Sequence, residues 1–158
     1  MLRLNNDYNE IACPEVLAAL QQTAPCNYPG YGADEWCRKA AGAIKAQLGG
    51  ADAEVQFMTG GTQANATLIA AALRPWQSVI SADCGHIFAH EAGSIEYTGH
   101  KILALLAENA KLTAGAIAAE AEKYRQSGGA DYLTEPKLVF LSSPSEYGTV
   151  YTLSLIHI

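Results

Sequence analysis

Two adjacent glycines, Gly60 and Gly61, lie between segments of different composition. Polar and apolar side chains alternate over residues 54–58, which predicts a strand, and the alanine-rich residues after Thr62 predict a helix that ends before Pro75. Glycine lets the backbone approach an anion closely, and the first N–H groups of a helix, with its dipole, favour negative charge. The segment is therefore either a phosphate-binding turn or a structural turn. It is not a Walker loop, because no lysine follows the glycines.

A second segment with chemical potential runs from Cys84 to Gly93 and contains His86, His90 and Glu91. On a helix His86 and His90 share one face, so a metal site formed by Cys84, the two histidines and Glu91 is one interpretation. The spacing is not that of H-E-x-x-H and no second ligand cluster is visible, so we expect no metal. The flat ring of His86 could instead stack on a planar ligand at the edge of the sheet that carries the glycine pair.

A third segment, residues 142–151, combines small hydroxyl side chains with the carboxylate of Glu146. It follows a predicted apolar strand at 138–141, so it reaches the same edge of the sheet as the other two segments. These side chains could contact a ligand there, although serine, proline and glycine are also ordinary turn residues.

The elements that must position these segments alternate along the chain. Helices are predicted at 14–22, 34–48, 87–92 and 113–126, and further strands at 78–80, 101–106 and 138–141. Strands that alternate with helices predict an α/β fold, a mostly parallel sheet with helices on both faces. Ligands of such sheets bind at the carboxyl ends of the strands.

Composition narrows the possible partners. The chain has 158 residues, 49% of them hydrophobic, and a net charge of −6, which gives no basic surface for nucleic acid or an anionic membrane. No apolar run approaches the ~18 residues of a membrane span, and the first residues do not have the layout of a signal peptide. The cysteines form no C-x-x-C pair, so we expect a reduced, cytoplasmic protein with a small-molecule ligand. They are Cys13, Cys26, Cys37 and Cys84.

Several motifs stand in one order along the chain. They are Asn5-Asn6-Asp7-Tyr8, Gly30-Tyr31-Gly32-x-Asp34, Thr59-Gly60-Gly61-Thr62-Gln63-Ala64-Asn65, Gly85-His86 to His90-Glu91-Ala92-Gly93, and Glu146-Tyr147-Gly148-Thr149-Val150-Tyr151-Thr152-Leu153. Together they resemble the N-terminal half of the low-specificity threonine aldolases, in the β-eliminating lyase group of fold-type I pyridoxal phosphate enzymes. The resemblance covers residues 1–153.

The resemblance implies a cofactor, pyridoxal 5′-phosphate, and residues that contact it. Gly61 and Thr62, with Gly60 beside them, would hold its phosphate. His86 would stack on the pyridine ring, and Glu91 would lie near the ring as a second catalytic residue. The family's Schiff-base lysine and the aspartate that pairs with the pyridine nitrogen have no counterpart among residues 1–158.

The resemblance also implies a small amino acid substrate and a homo-oligomer, a dimer or tetramer. Asn6 would lie near the substrate carboxylate, where the family usually has serine. Tyr31 would approach the site, across a dimer interface. Glu146 stands where some members have a histidine that meets the substrate hydroxyl, and it would contact the substrate.

The resemblance predicts an N-terminal fragment of an aldolase that cleaves L-threonine or another β-hydroxy amino acid. Residues 1–153 would form the N-terminal segment and the first part of a truncated cofactor-binding large domain, and residues 154–158 a non-native tail. The isolated chain is expected to be inactive. Two alternatives stay open: another fold-type I lyase that catalyses β-elimination, and a non-catalytic fragment that pairs through its uncovered sheet edge.

Overall fold

The structure, a computed structural model, describes residues 12–49, 52–128 and 132–152. The chain divides into two compact units, Met1–Phe57 and Met58–Ile158. Asn6 and the predicted tail at 154–158 lie outside the described residues.

The first unit contributes two helices, α1 (Pro14–Thr23) and α2 (Glu35–Gln47). Proline at the first helical position presets φ for α1. Asp34 caps α2, since its side chain accepts a 2.8 Å hydrogen bond from the N–H of Cys37. Both predicted helices are confirmed.

The predicted strand at 54–58 is wrong. These residues form neither strand nor helix, and the side chain of Phe57, which the alternation places on the apolar face, is 48% exposed. An alternating pattern forms a strand only where another strand supplies hydrogen-bond partners and a covered face, and the described residues supply neither here.

The second unit alternates helices and strands. Its elements are α3 (Gly61–Ala72), β1 (Gln77–Ala82), α4 (His86–Ala89), α5 (Ser94–Tyr97), β2 (Lys101–Leu105), a 3-10 turn (Glu108–Ala110), α6 (Ala114–Gln126) and β3 (Glu135–Val139). No helix in the described ranges has the length and apolar character needed to cross a membrane.

The strands form one parallel sheet in the order β2-β1-β3. The central strand β1 is buried along its whole length, and its neighbouring residues Val79 and Ile80 point to opposite faces. Val79 packs with residues of α3, α4 and α5, such as Ile69 and Ile87, while Ile80 packs with Leu112 and with Ile117 of α6. The predicted parallel sheet with helices on both faces is confirmed.

The predicted helix at 87–92 is wrong in extent. Helix α4 ends at Ala89, the backbone turns at Ala92 (φ 50°) and Gly93 (φ 80°), and the separate helix α5 follows. Two successive residues in the left-handed region cannot continue a right-handed helix. Strand β3 also begins and ends earlier than predicted, and the residues after Val139 enter the loop of the third segment.

Candidate functional site

The carboxyl ends of β1 and β3 bring the second and third segments together. The second segment follows β1 and the third follows β3, and the two strands are parallel neighbours. His90 Nε2 lies 3.7 Å from Glu146 Oε2 across this edge. The predicted convergence of these segments on one edge of the sheet is therefore present in the structure.

A close turn at Gly85 places His86. The Gly85 N–H donates to the carbonyl of Ala82 at 2.9 Å, and helix α4 begins at the next residue. A Cβ atom at Gly85 would overlap the buried Ser81 Oγ and lie 3.1 Å from the Ala82 carbonyl oxygen. The φ of −63° is accessible to any residue, so this position needs glycine for space rather than for its backbone angles.

Glu91 lies at the centre of a buried hydrogen-bond network. Its side chain has no exposed surface, and it accepts hydrogen bonds from Asn65 Nδ2 (2.6 Å), Ser94 Oγ (2.7 Å) and His86 Nδ1 (2.9 Å). Burial raises the pKa of the Glu91 carboxyl, but the hydrogen bonds from Asn65, Ser94 and His86 outweigh burial and hold the pKa below its ordinary value. Glu91 is therefore a carboxylate at neutral pH.

His86 is tethered on one side and open on the other. Its Nδ1 is bonded to Glu91, yet 45% of the side chain is exposed. The ring of His90 lies 5.7 Å away, centroid to centroid, at an interplanar angle of 52°. An imidazole held at one nitrogen with an exposed face is suited to stacking on a planar ligand.

The amino end of α3 has no side-chain cap. Asp34 caps α2 and Thr113 caps α6, but Gly60 has no side chain to offer, and the first intrahelical bond runs from Ala64 N to Gly60 O at 3.0 Å. The side-chain amide oxygen of Gln63 accepts from the N–H (3.0 Å) and hydroxyl (2.6 Å) of Thr59, so these bonds do not occupy the N–H groups of the first turn of α3.

Open space surrounds this helix end. A Cβ atom added at Gly60 or Gly61 would meet nothing within 4 Å. The first-turn N–H groups and the Thr62 hydroxyl are thus accessible donors at the positive end of a helix dipole, a donor set that fits a phosphate group.

Helix α3 and the segment around Glu91 line one groove. Thr62 and Gln63 form one wall, and Glu91, Gly93 and Ser94 form the other. The Asn65–Glu91 hydrogen bond joins α3 to the segment around Glu91, which fixes the predicted phosphate turn relative to the histidine segment.

The loop after β3 presents Glu146 from a closed turn. Gly148 N–H donates to the carbonyl of Ser145 at 2.9 Å, and the Ser145 hydroxyl accepts from the N–H groups of Tyr147 and Thr149. Behind it, the hydroxyl of the buried Tyr151 accepts a 2.8 Å hydrogen bond from Leu112 N–H. These bonds fix the loop against the residues that follow β2.

Two predicted site residues lie outside the second unit, so their part in the site stays a prediction. Tyr31 belongs to the first unit, where it is fully exposed with a φ of 61°. Asn6 lies outside the described residues. The metal interpretation gains no support, since the described residues contain no group of three or more His, Cys, Asp or Glu that could hold an ion.

Asn65 and Ser94 were missed as site residues. A signal was available in each case: Asn65 is a polar side chain in the middle of an alanine- and leucine-rich helix, and Ser94 is a hydroxyl residue three positions after Glu91. A buried carboxylate needs donors, and sequence spacing alone did not show that these two side chains face it.

Comparison with known proteins gives consistent results. The family model described as Beta-eliminating lyase matches residues 7–157. A low specificity L-threonine aldolase from Pseudomonas sp. (strain NCIMB 10558) is 30% identical over 149 residues, which are 93% of this chain and 41% of that protein. The solved threonine aldolase of Leishmania major matches with a TM-score of 0.89 and 38% identity over 96% of this chain and 43% of that one. The chain spans about two fifths of the length of these relatives, and it belongs to the beta-eliminating lyase family.

Proposed function

We propose that this chain is the N-terminal part of a pyridoxal 5′-phosphate-dependent aldolase that cleaves L-threonine or another β-hydroxy amino acid to glycine and an aldehyde. The observation that carries the proposal is the chain of hydrogen bonds from Asn65 through Glu91 to His86. These bonds join a helix with an uncapped, glycine-rich amino end to an exposed imidazole. The helix end can bind a phosphate group, and the imidazole can stack on an aromatic ring.

The phosphate of the cofactor is assigned to Gly60, Gly61 and Thr62. The first-turn N–H groups of α3 and the Thr62 hydroxyl would bind its oxygens, and the absence of side chains at the glycines leaves room for that approach. When bound, pyridoxal phosphate supplies an electron sink for the bond that breaks at the substrate Cα. The lysine that anchors the cofactor in this family is proposed to lie in sequence beyond these 158 residues.

His86 and Glu91 are assigned to the cofactor ring. The exposed side of His86 would stack on the pyridine ring, and Glu91 would act from behind it as a fixed negative charge. A carboxylate with three donors is held in one orientation, so it holds the imidazole in place without reorganisation.

The substrate contacts are assigned to Glu146, Asn6 and Tyr31. The Glu146 side chain is 23% exposed and lies beside His90, so its carboxylate is available to accept a hydrogen bond from a substrate hydroxyl or ammonium group. The relatives that are named threonine aldolases support this substrate class.

The test uses the whole protein that contains this chain. With pyridoxal phosphate bound, the protein is expected to release glycine and an aldehyde from β-hydroxy amino acids. Release of ammonia and pyruvate from substrates with a β leaving group, without retro-aldol products, would instead identify a β-eliminating enzyme. A protein that binds no cofactor would overturn both assignments.

We further propose that the isolated 158-residue chain is inactive and that the complete protein is a cytoplasmic homo-oligomer. Apolar side chains at the carboxyl ends of β2 and β3 remain exposed in this chain, with Leu106 89% and Leu141 40% exposed, which supports burial by further sequence or a second copy. Glycine release from threonine by the purified 158-residue chain, above the background of free cofactor, would contradict its inactivity.

Residues 154–158 are proposed to be a non-native tail. Resequencing the source gene tests this directly. A continuous reading frame that encodes residues 154–158 would overturn it.

A further inference from the structure

The buried carboxylate of Glu91 constrains the protonation of His86. An ionised carboxylate has no hydrogen to donate, so the 2.9 Å contact between Glu91 Oε1 and His86 Nδ1 requires a hydrogen on Nδ1. In the neutral ring Nε2 then carries a lone pair and no hydrogen. The hydrogen bond thus selects one of the two tautomers of His86.

Asn65 and Ser94 fix the carboxylate that makes this selection. The Asn65 amide donates to Oε1, the same oxygen that accepts from His86, and the Ser94 hydroxyl donates to Oε2. The Ser94 N–H also donates to the Glu91 main-chain carbonyl at 3.0 Å. Rotation of the carboxylate would break bonds at both oxygens, so its plane is held relative to the imidazole.

We propose that Asn65 is a positioning residue that acts through Glu91 to set the orientation and the Nδ1–H tautomer of His86. The inference deepens the proposed function and rests on it for the role of His86 at the cofactor ring. It adds a residue on helix α3 that touches no cofactor or substrate group in the assignments above. The same helix therefore offers donors to a phosphate at its amino end and orients the stacking ring one turn later.

The tautomer can be measured directly by nitrogen NMR of ring-labelled histidine. The sample is the whole protein that contains this chain, prepared without cofactor, at a pH where the ring is neutral. The His86 signals are those that disappear in a His86→Gln sample. We expect the Nδ1–H form to predominate in the parent protein.

Variants separate positioning from general stability. Asn65→Ala is expected to lower the ratio of Nδ1–H to Nε2–H forms about 3-fold or more, within the range of one lost hydrogen bond, and Glu91→Gln about 10-fold, because the acceptor loses its charge. Thr67→Ala, an exposed change on the same helix, should leave the ratio unchanged. If Asn65→Ala does not fold, Ser94→Ala decides, with the same direction expected.

Two results would overturn the inference. The first is a parent protein in which the Nε2–H form predominates. The second is an Asn65→Ala or Ser94→Ala protein that loses stability while its tautomer ratio stays that of the parent, which is the behaviour of a merely structural residue. Because the measurement needs neither cofactor nor turnover, failure to bind pyridoxal phosphate would refute the proposed function and leave this test intact.

Discussion

Replacing Gly85 with alanine tests the turn that delivers His86 to the edge of the sheet. The backbone angles of Gly85 (φ −63°, ψ 147°) suit alanine, so no conformational strain is expected. The added Cβ atom would instead overlap the hydroxyl of Ser81, a residue with no exposed surface, and lie 3.1 Å from the Ala82 carbonyl oxygen. The Ser81 hydroxyl cannot rotate away without losing its 3.2 Å hydrogen bond to that carbonyl.

The magnitude follows from these contacts. Overpacking a buried site by one methyl group destabilises the fold by about 1–3 kcal/mol. Alanine also restricts the unfolded chain more than glycine does, which stabilises the fold by about 0.4–1 kcal/mol. Gly85→Ala should therefore lower the free energy of unfolding by about 1–2 kcal/mol. Ser81→Ala alone should cost about 1 kcal/mol through its lost hydrogen bond. The double variant removes the overlapping oxygen, so its loss should fall short of the sum by about 1 kcal/mol.

Urea unfolding of the whole protein that contains this chain, followed by circular dichroism, measures all three values. Gly115→Ala is the matched control, since Gly115 lies in helix α6 with nothing nearer to an added Cβ than the Thr113 hydroxyl at 3.9 Å, and it should be neutral or slightly stabilising. A Gly85→Ala protein as stable as the control, or strictly additive losses in the double variant, would refute the steric explanation.

Four further changes probe the site. Thr62→Ala should weaken pyridoxal phosphate binding about 10-fold or more in a cofactor titration, because one hydroxyl donor to a charged group is lost; unchanged affinity would remove Thr62 from the phosphate site. Glu91→Gln should make the free energy of unfolding fall less as the pH is lowered into the acid range. The folded pKa of Glu91 lies below its ordinary value of 4.5, so the ionised carboxylate stabilises the fold above pH 4.5, and this contribution is lost as the pH falls through the folded pKa. Glu146→Gln should change the unfolding free energy by no more than about 1 kcal/mol, because its 3.7 Å contact with His90 is partly exposed, while raising KM for the amino acid substrate; an unchanged KM would argue against substrate contact. Tyr151→Phe should cost about 1–3 kcal/mol in urea unfolding, since it leaves the buried N–H of Leu112 without its acceptor, and a neutral result would show that water replaces the hydroxyl.

The parallel sheet was predictable because its signals are local. Strands β1 and β2 carry short apolar runs, and Thr113 caps α6 through a 3.2 Å bond from Ala116 N–H. Strand order was not predictable, because the central position of β1 depends on pairings between residues more than 50 positions apart, such as Val79 with Leu138.

The site was predictable in its residue types and less so in its contacts. The glycine turn, His86, Glu91 and Glu146 stand out as chemistry-bearing residues in the sequence, and two of the three segments that carry them follow the neighbouring strands β1 and β3 at one edge of the sheet. The hydrogen bond from Asn65 to Glu91 joins residues 26 positions apart, so no spacing rule on a single helix could reveal it. Helix α4 also ends at Ala89, before His90 and Glu91, so the helix on which the spacing argument relied does not extend to these residues.

The end of α4 at Ala89 explains why three residues of the metal interpretation, His86, His90 and Glu91, separate into two different contacts. Glu91 lies beyond the end of α4 and turns inward, where its two oxygens receive three hydrogen bonds and no exposed surface remains. A cation at this carboxylate would have to displace donors that are already well placed. His90, the last residue before the buried carboxylate, faces instead toward Glu146 on the neighbouring strand's loop. Within this segment the His86 ring is therefore held by the buried Glu91, while the His90 ring lies beside Glu146 of the loop after β3. The centroids of the two imidazole rings are 5.7 Å apart, so the two contacts are neighbours.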